Sequence, residues 1–402
     1  MEQSWARPVS VGVTTALVGF TSSVAVLIAG LTAAGANPAQ ASSGLLALCL
    51  TVGVGTMVLS RRHRLPITLA WSTPGAALLA TQASLGWPAA VGAFLLTGVL
   101  IAAVGMWPRL GRLVASIPAP LAQGMLGGVL VPLCLAPVTG LAASPAWVAP
   151  VVALWLILQR YAPRWATPVA FAAGLVVIVL QAGGDAVAAI TAPSLTIASP
   201  SFTWAAAAGI ALPLTVVTMA SQNVPGVAVL ASAGYRVPWR GTMLITGAGT
   251  ALGAAAGGHA INLAAITAAL PASPDADPDP RRRWIAAFAA GASYVVLAAT
   301  GATLVALAQA GTTEILAVVA GLALLPTLAA SLAGAFVSEG DRLPAAVAFM
   351  LAASGATLAG IGSAFWALVA GLAVRALLRP HVSKVAEGRA AEPARATPGT
   401  KG

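Results

Sequence analysis

Long apolar stretches alternate with short polar breaks along the whole chain. Stretches rich in Leu, Val, Ala, Ile and Gly occupy residues 9–32, 39–59, 66–82, 88–107, 118–137, 145–160 and 166–182. They resume at 205–233, 240–256, 257–270, 284–309, 313–335, 344–360 and 363–379. Most approach the roughly 20 residues that a helix needs to cross the hydrocarbon core of a bilayer. The pattern predicts an all-α polytopic membrane protein with about fourteen transmembrane segments. The longest breaks, near 183–203 and 271–283, are too short for a soluble catalytic domain. Composition agrees. Of 402 residues, 59% are hydrophobic and only 7% charged, against roughly 25% charged in a soluble domain. Cys49 and Cys134 each sit in an apolar run and read as packing residues rather than a bridge.

The net charge of +10 would suggest nucleic acid in a soluble protein. Its distribution says otherwise. With the N-terminus inside, all 20 Lys and Arg fall on one side of the fourteen-segment scheme, from Arg7 through Arg61, Arg62 and Arg64 to the tail. The intervening loops 33–38, 83–87, 138–144 and 183–203 carry none. The positive-inside rule makes that side, and both termini, cytoplasmic, with the lipid bilayer as partner and no nucleic acid. Arg7, the first apolar run and Ala34-Gly35-Ala36 have the outline of a signal peptide. The run exceeds the 7–15 residues of such a segment, and cleavage would upset the charge partition. The polar end, 380–402, reads as a disordered cytosolic tail.

Fourteen segments divide into seven plus seven. An odd-numbered repeat returns inverted, a common plan of secondary transporters. Residues 1–182 form the first repeat, 183–203 an extracytoplasmic linker and 204–379 the second repeat. The third segment of each half is short and interrupted. In the first, β-favouring residues 67–71 precede Ser72, Thr73 and Pro74, a capping signal for a half-helix. In the second, Gly257 and Gly258 break a helix, and Asn262 is placed to cap the next one, so each half is expected to contain a short extended piece feeding a half-helix. Two half-helix N-termini meeting at mid-depth make an anion site. The alternative is two ordinary loops or proline kinks.

Three strings carry a family resemblance: Leu-Pro-Ile-Thr-Leu-Ala-Trp-Ser-Thr-Pro-Gly-Ala at 65–76, Ala-Ser-Gln-Asn-Val-Pro-Gly-Val-Ala-Val-Leu at 220–230, and Gly-Gly-His-Ala-Ile-Asn-Leu-Ala-Ala-Ile-Thr at 257–267. Together they resemble the bacterial benzoate/proton symporters of the BenE type, over essentially all of 9–379. That family looks like a branch of the uracil-permease and sulfate-permease fold. The resemblance implies seven-plus-seven inverted repeats, with a core of helices 1–4 and 8–11 and a gate of helices 5–7 and 12–14. It implies a substrate between the third and tenth segments, beside the first and eighth, and a homodimer in the bacterial inner membrane. Uracil permeases carry an acidic residue on the eighth helix. Gln222 and Asn223 stand there instead, so their mode of binding does not transfer.

Phe20 either stacks on an aromatic substrate or faces lipid, and Thr21, Ser22 and Ser23 either line a cavity or bond back to their own helix. Trp71 is a second candidate for the substrate ring; Ser72 and Thr73 are caps that can also touch substrate. Gln222 and Asn223 must face protein or water, as substrate ligands or as interhelical links. His259 is the sole His in the predicted spans. It either couples a proton or is a neutral side chain bonded to backbone. Glu314, at the start of the twelfth segment, is the alternative proton carrier or simply a favourable helix-start residue. Asp275, Asp277 and Asp279 beside the 281–283 arginines read as a solvated loop rather than a cation site. No metal set, catalytic triad, phosphate-binding loop or cofactor motif appears. The residues describe a non-enzymatic secondary transporter, and the resemblance implies that it imports benzoate, or a similar aromatic monocarboxylate, with protons; an anion channel or a non-transporting membrane subunit is the alternative.

Overall fold

The computed structural model describes residues 5–81, 84–183, 192–265, 267–310 and 313–378. The tail 380–402, Asp185 and part of the 183–203 linker lie outside those residues. The first half comprises helices α1 (Ala6–Thr21), α2 (Val24–Ala33) and α3 (Pro38–His63), strand β1 (Leu69–Trp71), then α4 (Thr73–Ala80), α5 (Trp87–Met106) and α6 (Pro108–Ala115). It continues with α7 (Ala119–Cys134), α8 (Ala136–Ala143), α9 (Pro145–Tyr161) and α10 (Pro163–Ala182). The second half runs through α11 (Trp204–Ser232), α12 (Trp239–Ala254), β2 (Ile261–Leu263) and α13 (Ala269–Ala272). It ends with α14 (Trp284–Leu297), α15 (Gly301–Ala310), α16 (Thr313–Ala335), α17 (Arg342–Ala353) and α18 (Ser363–Leu378).

Local chemistry sets the boundaries. Asn37 caps α3 through the amide of Gln40, with Pro38 in the first turn. The same helix stops at Arg64 in the left-handed region, after Arg61 and Arg62, where cations suit the helix dipole. Among the described residues, 8 helical runs are long and apolar enough to cross a membrane. The other expected segments are shorter: α9 has 17 residues, α12 and α18 have 16 each, and α17 has 12.

The helices gather into two bundles. In the first, α3 packs on α12 and α14, α5 lies along α12, and α1 lies along α14. In the second, α7 packs on α16 and α17, α17 on α18, and α9 on α10. The two meet where α1 touches α10, α2 touches α16 and α4 touches α7. Glycine brings α5 and α12 together. A Cβ on Gly98 would stand 2.5 Å from the Ala251 nitrogen, and one on Gly247 2.6 Å from that of Ala102. Such backbone approach is what drives helix association where lipid removes the hydrophobic term.

Inside the first bundle, β1 and β2 pair antiparallel, in the register Leu69 to Leu263, Ala70 to Asn262 and Trp71 to Ile261. Extended backbone at this depth persists only if protein satisfies it. Side chains do so at both edges. Thr56 Oγ1 of α3 accepts from Leu69 N–H (3.0 Å), Thr250 Oγ1 of α12 from Ile261 N–H (3.0 Å), and Asn223 Oδ1 of α11 from Leu263 N–H (2.9 Å).

Two expectations need correcting. The tenth segment, 257–270, is not a half-helix capped by Asn262. Gly257, at φ +90° against the Trp87 ring, ends the preceding turn, Asn262 lies within β2, and α13 has only 4 residues. The strand pairing claims the backbone of 261–263. Ser273, extended at ψ 159° ahead of Pro274, then stops α13, as the residue before proline favours. The 271–283 loop, read as solvated, is folded. Asp277 and Arg283 are buried, Arg282 pairs with Asp277 at 3.1 Å, and Arg283 donates to the carbonyls of Asp277 and Ala272.

Candidate substrate site

A cavity of about 410 Å³ lies between the two bundles. The first bundle contributes Ser22 and Ser23 at the α1–α2 break, Trp71, Thr73 and Pro74 at the β1–α4 junction, and Gln222 of α11. Ala264 and Thr267, beyond β2, complete that wall. From the second bundle come Gln159 of α9, Arg164 and Thr167 of α10, and Pro326 and Thr327 of α16. Three backbone irregularities therefore share one cavity. α1 and α2 are separated by Ser22 and Ser23, a strand passes into a helix at Ser72, and α11 holds a π-helical stretch over Met219–Asn223. Such π-bulges are frequent at functional sites.

The predicted residues divide into two groups. Trp71, Thr73 and Gln222 line the cavity, as do Ser22 and Ser23, whose hydroxyls also donate to Gly19 O at 3.1 and 2.8 Å. Phe20, Ser72, Asn223, His259 and Asn262 do not line it. Phe20 stands behind Trp71, edge to face at 5.7 Å. Ser72 is the cap of α4, accepting from Gly75 N–H at 3.1 Å and from Thr218 Oγ1 at 2.8 Å. Thr73 is the first helical residue, and among the described residues no hydrogen bond occupies its hydroxyl. Asn223 turns away from its neighbour Gln222 toward β2, and also donates to Met219 Sδ at 3.2 Å. The Asn262 amide oxygen, turned to its natural donor, shares the Ser72 N–H (3.0 Å) with the Ala260 carbonyl (2.9 Å).

His259 is fully buried. Its Nε2 carries the proton, because it donates to the Ser72 carbonyl at 3.1 Å, and Nδ1 has no partner among the described residues. The ring meets Phe94 edge to face at 6.3 Å. Glu314 lies apart from the cavity. Ser144 Oγ donates to its Oε2 at 3.0 Å, and Oε1 is buried without a partner among the described residues.

Sequence reasoning missed the second-bundle wall and Tyr294. The Tyr294 ring meets Trp71 edge to face at 5.7 Å, so Trp71 is held by two aromatics, Phe20 and Tyr294. A Tyr within the apolar eleventh segment was a usable signal, since a buried phenol calls for a polar surrounding. Arg164 gave no such signal: it fell among the arginines explained by topology.

Fold and cavity together are those of a multi-pass membrane transporter, with a cavity between two helical bundles. Over 92% of this chain and 98% of the other, the structure superposes on the transmembrane domain of the cyanobacterial bicarbonate transporter BicA, with a TM-score of 0.61 at 16% identity. The sequence pattern of the benzoate membrane transport protein family (BenE) matches residues 4–377, and the chain belongs to that family. It is 39% identical over 359 residues to the inner membrane protein YdcO of Escherichia coli strain K12, covering 88% of this chain and 91% of that one. It is 29% identical over 389 residues to the benzoate membrane transport protein of Acinetobacter baylyi, covering 95% and 98%.

Proposed function

We propose that the protein is a secondary active transporter importing benzoate, or a close aromatic monocarboxylate, together with protons across the bacterial inner membrane. The observation that carries this reading is the pairing, in one cavity, of an aromatic wall at Trp71 with hydrogen-bonding groups at Thr73 and Gln222 that no described residue occupies. The carboxylate lies against Thr73, at the N-terminal end of α4 where the helix dipole favours an anion. The Gln222 amide completes its hydrogen bonding, and the ring packs on Trp71.

Benzoate is an anion at neutral pH. Importing it against an inside-negative potential costs about 2.3 kcal/mol per charge per 100 mV, and one proton carried with it cancels that charge. In this reading His259 carries the proton and Glu314 is the alternative. The eight long runs, the shorter helices and the two strand-led segments make up fourteen segments in two inverted repeats, 1–182 and 204–379. The antiparallel pairing of β1 with β2, at matching places in the two halves, supports the repeat. Both termini are cytoplasmic, the cavity faces inward through Arg164, and the protein works as a homodimer.

Uptake of labelled benzoate into proteoliposomes, with and without an inward pH gradient, tests the proposal. Accumulation above equilibrium that follows the gradient is expected. Flux that never exceeds equilibrium would instead make the protein an anion channel.

A further inference from the structure

Arg164 stands out among the cavity's residues by its charge. It lines the same space as Trp71 and Thr73 and carries the sole formal charge on the described lining. No acidic group pairs with it among the described residues: Asp277, Glu339 and Asp341 are taken by Arg282, Arg342 and Arg375. Its place on its own helix also calls for an explanation. Arg160 sits in the last turn of α9, where a cation is favoured. Arg164 sits in the first turn of α10, which begins at Pro163, where the helix dipole disfavours it. Helix stability does not account for an exposed guanidinium at that position.

Resting on the reading of the cavity as a carboxylate site, we propose that Arg164 is a specificity-determining residue of the inward-facing state. It captures the substrate carboxylate at the cytoplasmic mouth and raises affinity on that face alone. A planar guanidinium matches a carboxylate in a two-point hydrogen bond. A positive charge at an open mouth also concentrates anions there. The asymmetry follows from the architecture. Thr73 and Gln222 belong to the first bundle and Arg164 to the second, so movement of one bundle against the other separates the arginine from the bound anion.

The test uses full-length protein in proteoliposomes of known orientation, with KM for benzoate measured from each face. Arg164→Gln is expected to raise KM on the cytoplasmic face about two- to fivefold, the range of an exposed ion pair, and to leave the outer KM unchanged. Arg164→Lys should recover part of the loss. Raising the ionic strength from about 0.05 to 0.5 M should raise the wild-type inner KM, and change that of Arg164→Gln less, because salt screens exposed charges. An unchanged inner KM, or an equal rise on both faces, overturns the inference while leaving the cavity's assignment intact. A wild type that moves no benzoate at all overturns both.

Discussion

Gln222 and Asn223 are adjacent amides in one helix, and their surroundings assign them opposite roles. Asn223 Oδ1 is the acceptor for Leu263 N–H, at 2.9 Å, in a site with no solvent exposure. Replacing it with Leu keeps the volume and strands that N–H at the sheet edge. A buried donor left unpaired costs about 1–3 kcal/mol. Polar links within membranes average lower, about 0.6 and at most about 1.7 kcal/mol. Asn223→Leu should therefore destabilise the fold by about 1–2 kcal/mol. Gln222 has no described partner and faces the cavity. Its replacement by Leu should leave stability within about 0.5 kcal/mol. Loss of a hydrogen bond to an ionised carboxylate, about 1.5–3 kcal/mol, should raise the Kd for benzoate about ten- to a hundredfold. Unfolding in detergent micelles and calorimetric titration with benzoate, run on both variants, read the two effects separately. If Gln222→Leu is the destabilised variant and binds normally, the placement of the two amides is refuted.

Thr73→Val should weaken benzoate binding while α4 stays folded, because Ser72 is the cap; Ser72→Ala, losing the cap and stranding the Thr218 hydroxyl, should cost about 2–4 kcal/mol in the same unfolding assay. His259→Gln should still exchange benzoate across the membrane but fail to accumulate it under an inward pH gradient; full accumulation by that variant would move the coupling to Glu314 or to benzoic acid itself. In a background lacking Cys49 and Cys134, cysteines at Ser84 and Ser194 should react with an impermeant thiol reagent from outside, whereas cysteines at Arg62 and Arg282 should not. Labelling of all four from one face would break the proposed topology.

Apolar length alone located most of the helices, because the bilayer sets a minimum run that few other constraints imitate. The interruption at residues 65–75 was also readable, since a proline, β-favouring residues and a capping Ser act locally. The second interruption was read only by half. The glycines ended the helix as expected, but whether Asn262 begins a helix or joins a strand depends on β1, which lies 192 residues upstream by the Ala70 to Asn262 pairing. The site shows the same division. A sequence reveals polar side chains inside apolar runs, and cost requires each to be satisfied. It does not reveal whether protein or substrate does the satisfying. Ser72, Asn223 and Asn262 are satisfied by the strand crossing, which also takes the Nε2 of His259 but leaves its Nδ1 without a described partner; Thr73 and Gln222 are left to the cavity. Gln159, Arg164 and Thr327 were hidden for another reason: they reach the cavity only because the second bundle folds back against the first.

The residues that hold the crossing together converge on Ser72, and this bears on the proposed coupling. The Ser72 carbonyl accepts from Ala76 N–H at 2.8 Å and from His259 Nε2 at 3.1 Å, and its N–H donates to Ala260 O at 2.9 Å. Its hydroxyl fixes the first turn of α4 through Gly75. A proton arriving at His259 would attach to Nδ1, since Nε2 already carries one. The bond to Ser72 would survive, and the change delivered to α4 would be one of charge rather than of connectivity. That charge would appear behind Ser72, one residue from Thr73, where the proposed carboxylate lies. Proton and substrate would then favour each other without touching. By linkage, benzoate must strengthen proton binding as much as the proton strengthens benzoate binding. A His259→Gln variant, unable to take up that charge, should therefore bind benzoate with an affinity that no longer rises as the pH falls through the range in which wild type responds. Retention of the wild-type pH response in Kd would place the coupled proton elsewhere, with Glu314 the first residue to replace.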